Sequence, residues 1–291
     1  MNKQSRARNY AMEPRNRLFE GIRGMIETEI HPGRTVTFVS QVDLTQVEAA
    51  RQGAAQAGIS KPSYTAFVVK ATALALREFP YANRRVARRI WTPWAYPRVQ
   101  KFFHCDIAVA VERAEEGAES VTFADILRDA DQLPLAEITR QLADLARSTK
   151  ENNRQWRDFH NVMTRTPSWL GKLLLRLPLM APSLWVKWRG AAVLVSSPAK
   201  YGVDSLVATW TSPLGVSFGL VKPRPVVVDG EVVARPTFNL VLTFDRRIMA
   251  GAQAARFFSR IVDILQKVQE CPLDGFSRVA GSGIPVPTAA A

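Results

Sequence analysis

The sequence is poor in the residues on which disulfide frameworks and most metal sites depend. Only two of its 291 residues are cysteine, Cys105 and Cys271, and they lie too far apart for a CxxC motif or a disulfide framework. We therefore expect a reducing compartment and predict that both thiols are small buried groups. The three histidines, His31, His104 and His160, are scattered along the chain, so no zinc site is predicted.

Long apolar runs are also missing. No uninterrupted apolar stretch approaches the roughly 18 residues that a membrane-spanning helix needs, and the first residues carry charge where a secretory signal has an apolar core. We expect a cytoplasmic protein. Acidic residues are in deficit, with 26 Asp and Glu against 39 Lys and Arg and a formal net charge of +13. This balance favours anionic partners such as nucleic acid, an acidic membrane surface, a phosphorylated cofactor or an acidic protein.

The strongest functional pattern lies at residues 238–257, FNLVLTFDRRIMAGAQAARF. Alternating apolar residues at 240–244 predict a buried strand, and a helical apolar repeat follows the charged turn. The residues that predict the buried face of this helix are Ala254, Phe257, Phe258, Ile261 and Leu265. Because a buried strand and a buried helix would hold the turn between them, we expect a site there.

This turn resembles the Asp-His-Arg-x-x-Asp-Gly signature of the catalytic domain of dihydrolipoamide acyltransferases, the core enzymes of 2-oxoacid dehydrogenase complexes. It is more distantly similar to chloramphenicol acetyltransferase. In this chain the segment is DRRIMAG, in which Asp245, Arg247 and Gly251 match. Arg246 stands where the family has its catalytic histidine, and Ala250 stands where it has the supporting aspartate. The resemblance therefore implies the frame of the family's site without its general base.

The resemblance covers most of residues 14–270. It includes a helix predicted at 61–80, which Ser63 caps, and the Arg-Asp-Ala-Asp turn at 128–131. It implies an α/β fold, the chloramphenicol acetyltransferase-like two-layer sandwich, with a mixed sheet and helices on one face.

Both ends of the chain are expected to lie outside this fold. Residues 1–13 are expected to form a basic disordered arm, and residues 271–291, rich in Gly, Pro and Ala, a loose C-terminal tail. We expect no lipoyl domain and no subunit-binding domain ahead of the acyltransferase-like domain.

An apolar, basic insertion at about 155–189 interrupts the resemblance. Two short helical stretches are expected there, split near Pro178 and Pro182, and the segment carries Trp169, Trp185 and Trp188 among lysines and arginines. Each stretch is too short to span a bilayer, but a basic amphipathic helix with tryptophans can lie in a membrane interface. Residues 166–188 thus allow two interpretations: peripheral contact with the inner membrane surface, or a contact between subunits.

A second mixture of basic and aromatic residues follows the predicted helix. Four arginines lie between Arg84 and Arg89, and the aromatic residues are Trp91, Trp94 and Tyr96. Such a mixture can stack on nucleic acid. We favour a solvated hairpin with aromatic packing, because prolines bound the aromatic residues and no nucleic-acid motif accompanies them.

The resemblance also implies what the site residues do. Ser196 stands where the family has the serine or threonine that donates a hydrogen bond to the oxyanion. The family's histidine removes the proton from the thiol of dihydrolipoyl or coenzyme A, and arginine cannot replace it because arginine stays charged near pH 7. Arg246 is expected either to form a structural ion pair or to hold an anionic ligand where coenzyme A would enter. His104 is interpreted as packed or hydrogen-bonded, with a relocated base as the alternative.

Three functions remain open from the sequence. We favour a catalytically degenerate acyltransferase relative that acts as a scaffold or binds an acyl thioester. The ligand implied is coenzyme A or acyl-coenzyme A, with an acyl-carrying protein as partner, in a homotrimer or a multiple of three because the family's channel lies between subunits. The first alternative is an active acyltransferase that moves an acyl group between coenzyme A and a thiol or other acceptor. The second is a membrane- or nucleic-acid-associated structural protein.

Overall fold

The computed structural model describes Leu18, Ile30 and residues 32–87, 98–115 and 118–268. The predicted arm at 1–13 and tail at 271–291 lie outside the described residues, as do His31, Cys271 and the aromatic residues of segment 88–97.

The elements follow one another in the order expected of an α/β fold. The helices are α1 (Thr45–Gln56), α2 (Tyr64–Glu78), α3 (Leu135–Arg147), α4 (Arg154–Arg165), α5 (Ser168–Met180), α6 (Pro182–Arg189) and α7 (Gly251–Gln266). The strands are β1 (Thr35–Asp43), β2 (Arg84–Ala87), β3 (Arg98–Lys101), β4 (Ile107–Glu115), β5 (Ala118–Leu127), β6 (Val193–Ser196), β7 (Leu214–Phe218), β8 (Lys222–Val228) and β9 (Glu231–Asp245).

Seven of the described strands form one mixed sheet. Its order is β1-β9-β7-β6-β4-β5, with β8 paired to the first half of β9. The central strands β7, β6 and β4 are parallel, and the outer pairs are antiparallel. The β8–β9 hairpin turns at Asp229 and Gly230, whose φ angles of 51° and 89° suit the Asp-Gly sequence. The predicted mixed sheet and the chloramphenicol acetyltransferase-like two-layer sandwich are confirmed.

The main core lies between one face of this sheet and helices α2 and α7. Helix α2 begins after Ser63, whose side chain accepts a hydrogen bond from the backbone N of Ala66 at 3.1 Å, as the sequence predicts. Helix α7 packs against α2 and β1, and its predicted apolar face is confirmed. The buried residues of that face include Ala254, Phe257, Phe258, Ile261 and Leu265. These helices fix the position of the signature turn that precedes α7.

The two helical stretches predicted within residues 165–190 are confirmed as α5 and α6, and α4 precedes them. Pro178 lies inside α5, while the chain bends at Ala181 and Pro182 opens α6. Proline has no backbone N–H to lose in the first turn of a helix, so Pro182 suits this position.

Two arginines hold the C-terminal turns of the last two insertion helices. The buried Arg85 donates to the carbonyl oxygens of Pro178 and Leu179 at 3.3 and 3.4 Å. Arg128 donates to the carbonyl oxygens of Val186 and Lys187 at 2.8 and 3.1 Å. The last carbonyl groups of a helix have no hydrogen-bond donor within the helix, and both arginines supply donors to such groups. The insertion is therefore bound to the body of the fold.

This packing removes part of the basis for the membrane and nucleic-acid interpretations. Trp185 is buried, and its Nε1 donates to the carbonyl oxygen of Ala191 at 3.0 Å, so its ring cannot enter a lipid interface. Arg85 lies over the Trp185 ring, 4.1 Å from its centroid. Because Arg85 is buried, its guanidinium group cannot contact nucleic acid. The predicted hairpin is present as the antiparallel pair β2–β3. Among the residues described, no helix has the length and apolar character required to cross a membrane.

Candidate active site

The signature turn is held by an ion pair within the turn itself. Asp245 ends β9 beside Thr35 of β1, and its carboxylate accepts hydrogen bonds from Nε of Arg247 at 2.9 and 3.0 Å. The backbone N of Arg247 also donates to this carboxylate, at 2.9 Å. A carboxylate that holds both the side chain and the backbone of one residue restricts the turn. Asp245 and Arg247 thus form an ion pair that restricts the signature turn.

Arg246 takes no part in this pair. Its side chain is exposed, and its backbone N donates to the carbonyl oxygen of Arg34 at 2.9 Å. No carboxylate of the described residues lies within ion-pair distance of its guanidinium group. The structural ion pair considered from the sequence is therefore not found in this part of the chain. The guanidinium group remains available to an anionic ligand.

Ala250 occupies the N-cap position of α7. Its side chain has no oxygen, so it cannot accept a hydrogen bond from the first amides of the helix, as an aspartate would. Gln253 supplies half of a capping box, because its Oε1 accepts from the backbone N of Ala250 at 3.1 Å. The next residue, Gly251, has open space where a Cβ would stand. Among the described residues of one chain, therefore, nothing in the packing requires a glycine there.

Ser196 lies at the end of β6, far from the signature turn. It pairs with Ser217 of β7, which pairs with Val241 of β9, four residues before Asp245. Five residues along β9 and two strand spacings place Ser196 and Arg246 roughly 19 Å apart in one chain. The predicted oxyanion donor and the position of the family's base therefore do not share a site within a single subunit.

His104 is exposed and hydrogen-bonded, as its interpretation from the sequence expects. Its Nδ1 lies 2.6 Å from Oδ1 of Asp129, and this hydrogen bond, with the charge of Asp129, raises the pKa of His104 above 6.5. His104 precedes β4, and strands β6 and β7 separate β4 from β9. Three strand spacings amount to about 14 Å, so one chain does not bring His104 to Arg246.

Neither a thiol nor a metal replaces the missing histidine in the described residues. Cys105 is buried as predicted, and burial raises the pKa of its thiol to about 12, so the thiolate is negligible near neutral pH. The part of the chain that the structure describes contains no group of three or more His, Cys, Asp or Glu side chains suited to a metal ion.

A cavity of about 610 Å³ lies between the sheet and the insertion helices. No sequence pattern indicated this cavity. Its floor includes Ala110 and Ala124, which are directly opposite each other on β4 and β5. Small residues in a strand give no periodic signal of a cavity, because the space depends on what packs above them. The only available signal was the apolar composition of the insertion.

Comparison with curated proteins finds components of 2-oxoacid dehydrogenase complexes. The chain is 27% identical over 248 residues to the dihydrolipoyllysine-residue acetyltransferase component of the pyruvate dehydrogenase complex of Bacillus subtilis, covering 82% of this chain and 46% of that protein. It is 25% identical over 216 residues to the dihydrolipoyllysine-residue succinyltransferase component of the 2-oxoglutarate dehydrogenase complex of Bartonella vinsonii, covering 74% and 42%. The chain thus spans less than half the length of these relatives.

Comparison with solved structures gives the same fold. Dihydrolipoamide acetyltransferase of Azotobacter vinelandii superposes with a TM-score of 0.65 at 20% identity, covering 92% of this chain and 96% of that one. A probable dihydrolipoamide acetyltransferase of Listeria monocytogenes superposes with a TM-score of 0.61 at 19% identity, covering 90% and 97%. At these identities the likeness establishes the fold.

The sequence model of one family matches this chain in two segments, residues 20–171 and 187–273, which leave 172–186 of the insertion unmatched. The matched segments make up most of the chain and include the whole signature turn. The chain belongs to the family of 2-oxoacid dehydrogenases acyltransferase (catalytic domain).

Proposed function

We propose that this protein is a catalytically degenerate acyltransferase-fold subunit that binds an acyl thioester and does not transfer the acyl group at a useful rate. The observation that carries this proposal is the exposed Arg246 at the position of the family's histidine. Arginine remains protonated near pH 7 and cannot accept the proton of a thiol. Loss of a general base typically lowers a rate on the order of 100- to 10,000-fold.

The Azotobacter vinelandii relative supports the importance of these positions. A serine, a histidine and an asparagine have been studied for their roles in its catalytic mechanism, and the histidine and asparagine are four positions apart. Arg246 and Ala250 are separated by the same spacing. Both side chains differ here, and neither arginine nor alanine supplies a base or a neutral hydrogen-bonding amide.

Arg246 is suited to binding rather than to proton transfer. A guanidinium group recognises phosphate with two parallel hydrogen bonds, and coenzyme A carries phosphate groups. The described residues leave its guanidinium without a carboxylate partner, and the net charge of +13 favours an anionic ligand. We therefore assign Arg246 to the phosphates of coenzyme A or acyl-coenzyme A.

Calorimetry with acetyl-coenzyme A tests this assignment. Arg246→Gln is expected to weaken binding by at least about tenfold, because a hydrogen bond to a charged group contributes about 1.5–3 kcal/mol. Arg256→Gln is the matched control, since Arg256 is also exposed and lies on helix α7, which directly follows the signature turn. If both variants weaken binding equally, only the overall charge matters. If the wild-type protein binds no acetyl-coenzyme A, the thioester-binding function is wrong.

We further propose a trimer or a multiple of three. Ser196 and Arg246 lie at separate ends of the sheet in one chain, so they can meet only across two copies. One structural relative, which superposes with a TM-score of 0.64 at 20% identity over 92% of this chain and 96% of that one, forms the cubic core of a pyruvate dehydrogenase complex. For a chain of 32.4 kDa, sedimentation equilibrium should give about three times that mass or a multiple of it. A stable monomer at micromolar concentration would contradict a site shared between subunits.

The active-acyltransferase alternative depends on His104. This exposed imidazole is oriented by a carboxylate, the arrangement that many catalytic bases use. A neighbouring subunit would have to bring it to the thiol, because the distance within one chain is too large. Replacing His104 distinguishes the two functions, because turnover that depends on His104 would disappear and would identify an active acyltransferase.

A further inference from the structure

The cavity of about 610 Å³ lies along the face of the sheet opposite to the main core and extends around the edge strand β5, where Val121 and Phe123 also line it. Val193 and Val195 of β6 face the core, whereas Leu194, between them, lines the cavity. The volume is within the range of about 300–1,000 Å³ that is usual for small-molecule sites.

The floor of the cavity is open because its residues are small. Ala110 and Ala124 form a cross-strand pair of β4 and β5, and both line the cavity. At one side, the ring of Trp210 covers Gly215, where an added Cβ would come within 1.8 Å of the indole. Gly215 therefore lets the tryptophan lie directly on the sheet and form part of the wall.

The opposite wall comes from the insertion. The side chains that α5 and α6 contribute are Leu174, Leu175, Leu177, Pro178, Leu184, Trp188 and Arg189. Five of these seven lie within residues 172–186, which the family model leaves unmatched. Arg85 and Arg128 hold the ends of these helices, and Gln155 of α4 donates to the carbonyl oxygen of Trp188 at 3.3 Å. The wall is thus fixed in place by hydrogen bonds and is a feature that this chain adds to the family fold.

The lining favours an apolar ligand. Among the described lining residues, the one charged side chain is Arg189, and no acidic side chain is present. The hydroxyl groups of Ser120, Thr122, Thr209 and Thr211 are the other polar groups apart from the indole N–H groups. An apolar chain would bury its methylene groups against the leucines and the two alanines.

The cavity also reaches towards the predicted oxyanion donor. Leu194 and Ser196 lie on the same face of β6, two residues and therefore about 7 Å apart. We propose that the cavity holds the long apolar chain of an acyl thioester whose carbonyl group lies near Ser196. The acyl group would then be a long-chain acyl group, larger than acetyl or succinyl. This assignment rests on the proposed function only in placing the carbonyl group.

Binding of butyrate, octanoate, dodecanoate and palmitate, measured by calorimetry, tests the cavity without the thioester. Affinity is expected to rise by roughly fourfold for each added methylene, because burying one contributes about 0.8 kcal/mol, until the cavity is full. Ala124→Leu should fill part of the cavity and weaken palmitate binding at least tenfold. Ala143→Leu, the same change at an exposed position of α3, should have no effect. Ala110→Leu is a second filling variant, in case Ala124→Leu lowers the melting temperature.

Parallel titrations with acetyl-coenzyme A and palmitoyl-coenzyme A separate this inference from the proposed function. Palmitoyl-coenzyme A is expected to bind more tightly, and the two filling variants should remove that advantage while leaving acetyl-coenzyme A unchanged. If acetyl-coenzyme A binds but affinity for fatty acids does not depend on chain length, the cavity assignment is wrong and the proposed function stands. If palmitate binds in the cavity and palmitoyl-coenzyme A has no advantage, the link to Ser196 is wrong.

Discussion

Replacing Arg246 by histidine and Ala250 by aspartate together is expected to raise acyl transfer from background to a measurable rate. The double variant restores both residues that the family's signature has and this chain lacks. A general base contributes on the order of 100- to 10,000-fold to a rate, and the gain should lie towards the lower end of that range. The reason is that proton abstraction needs a thiol within about 3 Å of the base, a distance that this chain has had no need to maintain.

The two single variants are the controls for this experiment. Ala250→Asp alone should stay inactive, but it should stabilise the protein by roughly 0.5–2 kcal/mol, because an aspartate at the N-cap of α7 can accept a hydrogen bond from a first-turn amide. Arg246→His alone should show little transfer, because the imidazole lacks its partner. A double variant that folds and binds acyl-coenzyme A, yet transfers nothing, would contradict the idea that only the base has been lost.

Replacing Arg113 by methionine is expected to lower the free energy of unfolding by about 3–5 kcal/mol. Arg113 and Asp125 form an ion pair in which each side chain is only 3% exposed. Arg113 also donates to the carbonyl oxygens of Leu145 and Ser148 at 2.8 and 2.6 Å, and so joins the β4–β5 hairpin to the end of α3. Removing one partner of a buried ion pair leaves the other charge uncompensated, which is strongly destabilising.

Urea unfolding measures this effect. The matched control is Arg140→Met, because Arg140 pairs with Glu137 on the surface and its side chain is 63% exposed. A surface ion pair contributes at most about 1 kcal/mol, so the control should lose little. Equal losses for the two variants would mean that the buried pair has no special role in the hairpin. The slope of the transition should remain unchanged if the variants unfold in the same way.

Local sequence patterns were sufficient for much of the fold. The period of Ala254, Phe257 and Ile261 defines the buried face of α7, because burial against β1 requires that spacing. The cap at Ser63 and the Asp-Gly turn are also local, since the hydrogen bond or the positive φ angle involves residues a few positions apart. For the same reason, the strand before the signature turn could be predicted without knowledge of its neighbours.

The insertion and the candidate site depended on contacts that local patterns do not contain. The tryptophans of the insertion suggested an exposed surface, but Trp185 is buried against Arg85, which lies 100 positions earlier in the chain. The distance between Ser196 and Arg246 follows from the register of β6, β7 and β9, and no local pattern indicates that register. The cavity likewise required two alanines to be paired across strands and covered by helices.

The most direct test of the account is whether the wild-type protein binds acetyl-coenzyme A without using it. The protein is incubated with acetyl-coenzyme A and dihydrolipoamide, and acetylated dihydrolipoamide is measured by chromatography beside a calorimetric titration of the same sample. We predict saturable binding with no product above the protein-free background, and product with the Arg246→His and Ala250→Asp double variant. Wild-type turnover that disappears in His104→Ala but persists in His160→Ala would contradict the account, because it would identify His104 as a relocated base and the protein as an active acyltransferase.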